Sequence, residues 1–236
     1  MRIFIQCAGR KRPDAATFAA SDGRLVRFVA QPASAPARTG YVYARPDNVS
    51  DDGRTWRARL IEYNERGVNP LNLLPAWQLY EPDAYAALVE KFGTACVYIL
   101  SAGWGLISAK FLTPAYDITF SQVPKQKRWM RRGKDDAYED SCLMPDDGEP
   151  LLFLGGKEYL PLLCRLTAGM TCGKTIFFRT ADAPDLPAGF TAVRYETHRR
   201  QNWHYNCARD PLKQRDPHET ALDPHTAPTE VRRSGR

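Results

Sequence analysis

Tyr98-Ile-Leu-Ser-Ala-Gly-Trp-Gly-Leu-Ile107, followed by Tyr116-Asp-Ile-Thr-Phe120, is the stretch on which the reading of this chain turns. Residues 96–100 are apolar and β-rich enough for a strand buried on both faces, and Ser101-Ala-Gly removes side-chain bulk where that strand should end. In open α/β sheets ligands bind beyond the carboxyl ends of strands, so Ser101, Trp104 and Asp117 fall where chemistry is usually done. The competing reading is a glycine turn around a core tryptophan. Gly103 and Gly105 flank a ring that two glycines would leave poorly covered, which favours the site.

Outward from that stretch, strand and helix patterns alternate. Residues 2–7 read as a first buried strand emptying into Ala8-Gly-Arg-Lys-Arg12. Residues 13–67 are turn-rich and look inserted, with short strands at 25–30 and 41–44 and a helix over about 55–65. Trp77, Leu79, Tyr80, Tyr85, Leu88, Val89 and Phe92 predict helical packing across 75–92, stopped by Gly93. A charged helical region is expected over 122–140, strands at 151–154, 175–178 and 191–195, and an amphipathic helix over 158–170. This pattern predicts an α/β fold with a mainly parallel sheet in one domain, residues 1–208. Residues 209–236 are polar, proline-rich and expected to be a disordered basic tail.

At 236 residues with 43% hydrophobic and 25% charged positions, the chain can bury one sizeable core. Its start is too short and too quickly polar for a signal peptide, and no run approaches a membrane span, so a cytoplasmic monomer with no membrane partner is expected. Six cysteines are scattered without zinc spacing, which predicts reduced structural thiols, no metal and no cofactor.

The net charge is +6 and the isoelectric point is near 9.0. From Ile118 to Lys134 there are six basic residues and no acidic one. Lys125, Lys127, Arg128, Arg131 and Arg132 there surround Trp129, as in grooves that track phosphates and stack a base. A second run, His198-Arg-Arg-Gln-Asn-Trp-His-Tyr205, contributes Arg199, Arg200 and His204, and Arg10, Lys11 and Arg12 follow the first strand. Two solvated helix faces would look similar, but the interleaved aromatics favour nucleic acid as partner. The loop after the first strand lacks Gly-x-x-x-x-Gly-Lys-Ser/Thr spacing, which rules out a P-loop ATPase.

Four segments together carry a family resemblance: Cys7-Ala-Gly-Arg-Lys11, Pro75-Ala-Trp-Gln-Leu-Tyr80, Ile99-Leu-Ser-Ala-Gly-Trp-Gly-Leu106 and Pro114-Ala-Tyr-Asp117. They resemble the bacterial domain labelled peroxide-stress YaaA-like, over roughly residues 1–120. That domain is similar to the core of archaeosine synthase, placed with the uracil-DNA glycosylase-like fold. The resemblance implies a three-layer α/β/α sandwich with a base pocket at the strand ends, to which the turn-rich residues 13–67 would be an N-terminal insertion. In size and basic character the chain also resembles anti-phage DNA glycosylases that remove glucosylated hydroxymethylcytosine. It departs from uracil-type glycosylases in having Gln6-Cys-Ala-Gly-Arg10 where they carry Gly-Gln-Asp-Pro-Tyr or Gly-Glu-x-Pro-Gly, and it has no clear His-Pro-Ser motif.

The catalytic carboxylate must then come from elsewhere, and Asp117 is the candidate, with a helix cap or turn residue as its structural alternative. Hydrolysis of an N-glycosidic bond builds positive charge on the sugar and needs a carboxylate near the anomeric carbon. The target nucleotide must leave the stack, which makes Trp104 and Tyr116 stacking candidates against a core-packing alternative. Gln6, Ser101 and Asn202 could hydrogen-bond base or sugar edges. Cys7 is either a strand-end thiol beside cations or a buried structural cysteine. Lys11 is the one well-placed amine for a Schiff base, although a glycosylase without a dedicated lyase step is expected. The leading expectation is a DNA glycosylase acting on a modified base of phage DNA. The alternatives are a non-catalytic DNA-binding stress protein and a transferase or hydrolase on a nucleotide or tRNA.

Overall fold

A seven-stranded, mainly parallel sheet forms the centre of the computed structural model, which describes residues 1–198 and 202–209. Strand β1 (Arg2–Gln6) lies in the middle, where Ile3, Phe4 and Ile5 are fully buried. On one side it pairs in parallel with β10 (Leu151–Leu154), which continues through β11 (Lys174–Phe178) to β12 (Phe190–Arg194). On the other side it pairs in parallel with β5 (Val97–Ser101). These are the five strands expected from the sequence, and in β1, β5 and β10 burial on both faces is why the apolar runs do not alternate.

Beyond β5 the expectation fails. The chain does not open into a loop at Ser101 but turns back at once into β6 (Gly105–Ser108), antiparallel to β5, with Ser101 opposite Gly105. Strand β9 (Ser141–Cys142) then adds in parallel to β6. Gly105 is required at the turn: its φ is +83°, and a Cβ there would lie 2.2 Å from the Ser141 carbonyl oxygen. Residues 101–107 are all buried, so the glycine turn around a core tryptophan is what the chain forms here.

Residues 13–67 supply two strands of a second, parallel sheet, β3 (Tyr41–Ala44) and β2 (Leu25–Val29), on which β8 (Tyr116–Asp117) pairs beside β2. Helix α1 (Trp56–Glu65) begins where the 55–65 pattern placed it, with the Thr55 hydroxyl accepting from the Ala58 amide. This region shares the main core: Trp56 and Trp104 both pack edge-on against Phe28, and Arg57 Nη2 donates to the Gly103 carbonyl at 2.9 Å.

The expected 75–92 helix is split. Leu74–Pro75 (β4) pairs with Leu112–Thr113 (β7), α2 covers only Ala76–Leu79, and α3 runs Ala84–Phe92. Pro82 accounts for the break, because the residue before a proline is driven out of the helical region. Gly93, at φ +76°, stops α3 as anticipated. The 158–170 helix is shorter than its pattern, a 3₁₀ turn at Lys157–Tyr159 followed by α4 (Leu160–Leu166). Helix α5 (Trp203–Arg209) packs on α3, with Tyr85 and Tyr205 rings 6.0 Å apart. Arg209, expected to begin the tail, is the last residue of α5. The rest of that tail, 210–236, lies outside the described residues, as do Arg199 and Arg200. Among the described residues no helix is long and apolar enough to cross a membrane.

Candidate nucleic-acid interface and active site

The chain leaves β1 at the switch point of the sheet, where connections run to β5 on one side while β10 and β11 extend the other. Crevices form at such points because the loops diverge. Here the loop after β1 is pinned on both sides. The Gly156 amide donates to Gln6 Oε1 at 2.6 Å across the β1–β10 gap, and the Arg12 amide donates to the Leu79 carbonyl at 2.9 Å. Gln6 Oε1 is therefore engaged in holding the Gly155-Gly156 turn.

Between this loop and the second sheet lies a cleft of about 460 Å³. Its walls carry Arg10, Lys11 and Arg12 from the loop, Arg27, Arg38 and Tyr41 from the inserted region, and Tyr116 and Asp117 from β8. The inserted region thus supplies one whole wall. The cleft is within the size range of ligand sites, and its lining carries five cations and one carboxylate, with Glu81 and Asp14 pairing Arg10 and Arg12 from outside it, a balance that favours anionic ligands.

Asp117 sits at this wall with its side chain about one quarter exposed. Arg27 Nε donates to Oδ2 at 2.6 Å, and Oδ1 has no protein hydrogen-bond partner among the described residues. One oxygen is thus fixed and the other is available to solvent or ligand. The Arg27 guanidinium also stacks on Trp129, 5.4 Å from the ring. Through that contact the cleft wall joins the 3₁₀ segment Lys125–Met130, where Lys125, Lys127 and Arg128 are exposed, as is the following Arg131. The charged helix expected over 122–140 is absent; Pro124 and Gly133 bracket a short 3₁₀ turn whose buried Trp129 anchors it.

Other expected contacts are placed differently. Arg132 is not a surface cation: it is 1% exposed and ion-paired with Asp140 inside the protein. Trp104 is 1% exposed, edge-on to Phe28 and Tyr116, and presents no face for stacking a base. Ser101 is wholly buried; its Oγ donates to the Tyr116 hydroxyl at 2.9 Å and accepts the Gly103 and Trp104 amides at 3.2 and 3.1 Å. The Tyr116 hydroxyl also shares a 2.8 Å hydrogen bond with Tyr80. Burial holds both phenol pKa values well above the usual range, so they serve as neutral hydrogen-bonding groups. Cys7 is the buried structural thiol of the two alternatives, 3.2 Å from the Tyr159 hydroxyl and accepting the Ala102 amide at 3.4 Å.

Asn202 is exposed, in the left-handed region at φ 55°, before α5. His204 is buried and cannot reach DNA. Its ring lies 4.1 Å from that of Tyr205, its Nε2 is among the buried atoms without a partner, and burial lowers its pKa to about 4. The sign follows from linkage. The folded pKa lies below the unfolded value near 6.5, so the unfolded chain binds more protons between those values. Stability should therefore fall as pH drops from about 6.5 toward 4, by up to roughly 1.4 kcal/mol per pH unit. Thermal unfolding of His204→Phe between pH 7 and 5 should lack this slope; a slope equal to the parent's would place its origin elsewhere.

A second cavity, of about 240 Å³, lies at the carboxyl ends of β10 and β11, lined mainly by apolar groups including Phe177, Phe178 and Trp203. It brings together none of the expected catalytic residues. Among the described residues no three His, Cys, Asp or Glu side chains cluster as metal ligands would.

The cleft residues sequence reading missed are Arg27, Arg38 and Tyr41. Arg27 and Tyr41 fall on the short strands expected at 25–30 and 41–44 and Arg38 just before the second, but nothing local indicated that this sheet would close over the loop after β1. Comparison with protein-family models, curated proteins and solved structures finds no match to this chain.

Proposed function

We propose that the protein is a DNA N-glycosylase that holds a phosphate-flanked nucleotide in the cleft and hydrolyses the bond to a modified base, with phage DNA as its substrate. The observation that carries the reading is the pairing of one half-free carboxylate, Asp117, with five converging cations at the switch-point crevice. Arg10, Arg12 and Arg38 would bind phosphates. Asp117 Oδ1 would face the sugar, where negative charge stabilises the oxocarbenium-like transition state or orients the attacking water. In this reading the fold is a three-layer α/β/α sandwich of the uracil-DNA glycosylase-like kind.

The contact from Arg27 through Trp129 to Lys125, Lys127 and Arg128 favours a polymer over a free nucleotide, because it extends the cationic surface beyond what one nucleotide spans. Since Trp104 is enclosed, a flipped base would lie against Tyr41 or in the cleft itself rather than on that tryptophan.

The test is base release, read by mass spectrometry, from matched phage DNAs carrying unmodified, hydroxymethylated or glucosylated cytosine. Release of one modified base, with DNA binding that weakens steeply as salt rises, is the expected result. Tight, salt-sensitive binding without release from any of the three would replace this reading with a non-catalytic DNA-binding protein.

A further inference from the structure

Lys11 is the cleft cation the hydrolytic reading leaves without a distinct task. Arg10, Arg12 and Arg27 each face a carboxylate, from Glu81, Asp14 and Asp117, whereas Lys11 makes no ion pair among the described residues. Its ammonium lies 3.9 Å from the centroid of the buried Tyr116 ring and 6.0 Å from that of Tyr80, on the cleft wall. The backbone holds it there, because Lys11 bridges to Tyr80 and the flanking Arg12 amide is bonded to Leu79. A lysine kept over aromatic faces and held by no ion pair among the described residues is arranged as an amine nucleophile rather than as a phosphate clamp.

We infer that Lys11 forms a Schiff base with the C1′ aldehyde of an abasic deoxyribose and so cleaves the DNA strand after the base has gone. This rests on the DNA reading above, adds a reaction to it and replaces the expectation of a glycosylase without a lyase step. Loss of the base leaves a sugar that opens to an aldehyde. The Lys11 amine adds to C1′, and the carbinolamine expels water to give an iminium ion. A C2′ proton then passes to Asp117 or to water, and the C3′–O bond breaks with its electron pair leaving on the phosphate. Hydrolysis of the iminium returns the amine, and no oxidant or reductant takes part. Burial lowers the Lys11 pKa below its ordinary value, which raises the fraction of free amine near neutrality. The neighbouring groups that act on it are Asp117 and Cys7, both of which pull the other way and less strongly.

The experiment uses an oligonucleotide that already contains an abasic site, so it does not depend on glycosylase activity. Incubation of the full-length protein with this DNA and sodium borohydride should give a covalent adduct that peptide mass spectrometry maps to Lys11. Omitting borohydride should give strand cleavage at the abasic site. Lys11→Arg, which keeps the positive charge, and Lys11→Met, which keeps the stem, should both lose the adduct while retaining the parent's circular dichroism and thermal unfolding. Absence of an adduct with the parent, or an undiminished adduct in both variants that maps to another amine, would overturn the inference. Trapping without base release from modified DNA would uphold this step and reject the glycosylase, and the reverse result would reject this step alone.

Discussion

An Asp140→Ala protein is expected to lose about 3–5 kcal/mol of unfolding free energy, the range for removing one partner of a buried ion pair. Side chains of Arg132 and Asp140 are 1% and 2% exposed. Arg132 Nη1 and Nη2 donate to the two carboxylate oxygens at 2.8 and 2.6 Å, and Nη1 also donates to the Ala102 carbonyl at 2.8 Å. The guanidinium lies 3.7 Å from the Tyr138 ring centroid and 5.1 Å from that of Phe120. With the carboxylate gone, a full charge remains enclosed with one carbonyl and two aromatic faces, and its Nε already lacks a partner. That is the costly half of the pair to strand.

The reciprocal change should be milder. In Arg132→Met the Asp140 carboxylate keeps Arg165, which contacts it from the half-exposed side. Replacing both members, Arg132→Met with Asp140→Leu, should recover much of the loss, because the two desolvation costs vanish together. Urea unfolding of the parent, Asp140→Ala, Asp140→Leu, Arg132→Met and the double variant checks this, the last three closing a cycle with the parent. A single-variant cost below about 1 kcal/mol would mean that water reaches the pair and that it behaves as a surface bridge. The pair matters to the site because it ties the 132–140 segment to the 101–105 turn, beneath Tyr116.

Arg132 illustrates where sequence reading reached its limit. Within Lys125–Lys134 all six cations look alike, and what separates Arg132 from its neighbours is Asp140, eight residues on, returning to meet it. Such a partner is set by tertiary structure and leaves no local signal. The central strands were legible because a strand buried on both faces is apolar along its middle, as Ile3-Phe-Ile5 of β1, Val97-Tyr-Ile-Leu100 of β5 and Leu151-Leu-Phe-Leu154 of β10 are. Strand β6 was not, because Gly105-Leu-Ile-Ser108 is short and follows a turn whose glycines fit a ligand loop equally well. Trp104 belongs to the same ambiguity: flanking glycines leave a ring uncovered only if nothing distant packs on it, and Phe28 from the inserted region does. Asp117 was legible as a candidate through its neighbours in sequence, but the cleft around it was not, since Arg27, Arg38 and Tyr41 reach it from 76 or more positions away.

Asp117→Asn should reduce base release by roughly 100- to 1,000-fold, the usual effect of removing one group that stabilises charge in a transition state. Asparagine has the shape of aspartate and can still accept from Arg27, so the β2–β8 pairing and the cleft wall should persist. What disappears is the negative charge at Oδ1, the oxygen free to face a developing sugar cation. Because the Arg27–Asp117 pair is partly exposed, its weakening should cost at most about 1 kcal/mol of stability, too little to unfold the protein. DNA binding should hold or tighten, since the substitution removes the one carboxylate among the described residues that line the cleft. The contrast between lost turnover and retained affinity separates a catalytic carboxylate from a structural one. An Arg27→Met companion sharpens it: Asp117 keeps its charge but loses its anchor, so its rate should fall less than in Asp117→Asn. If Asp117→Asn instead releases base at the parent's rate while binding DNA normally, the carboxylate serves only to hold Arg27, and the chemistry must be sought at another group of the cleft.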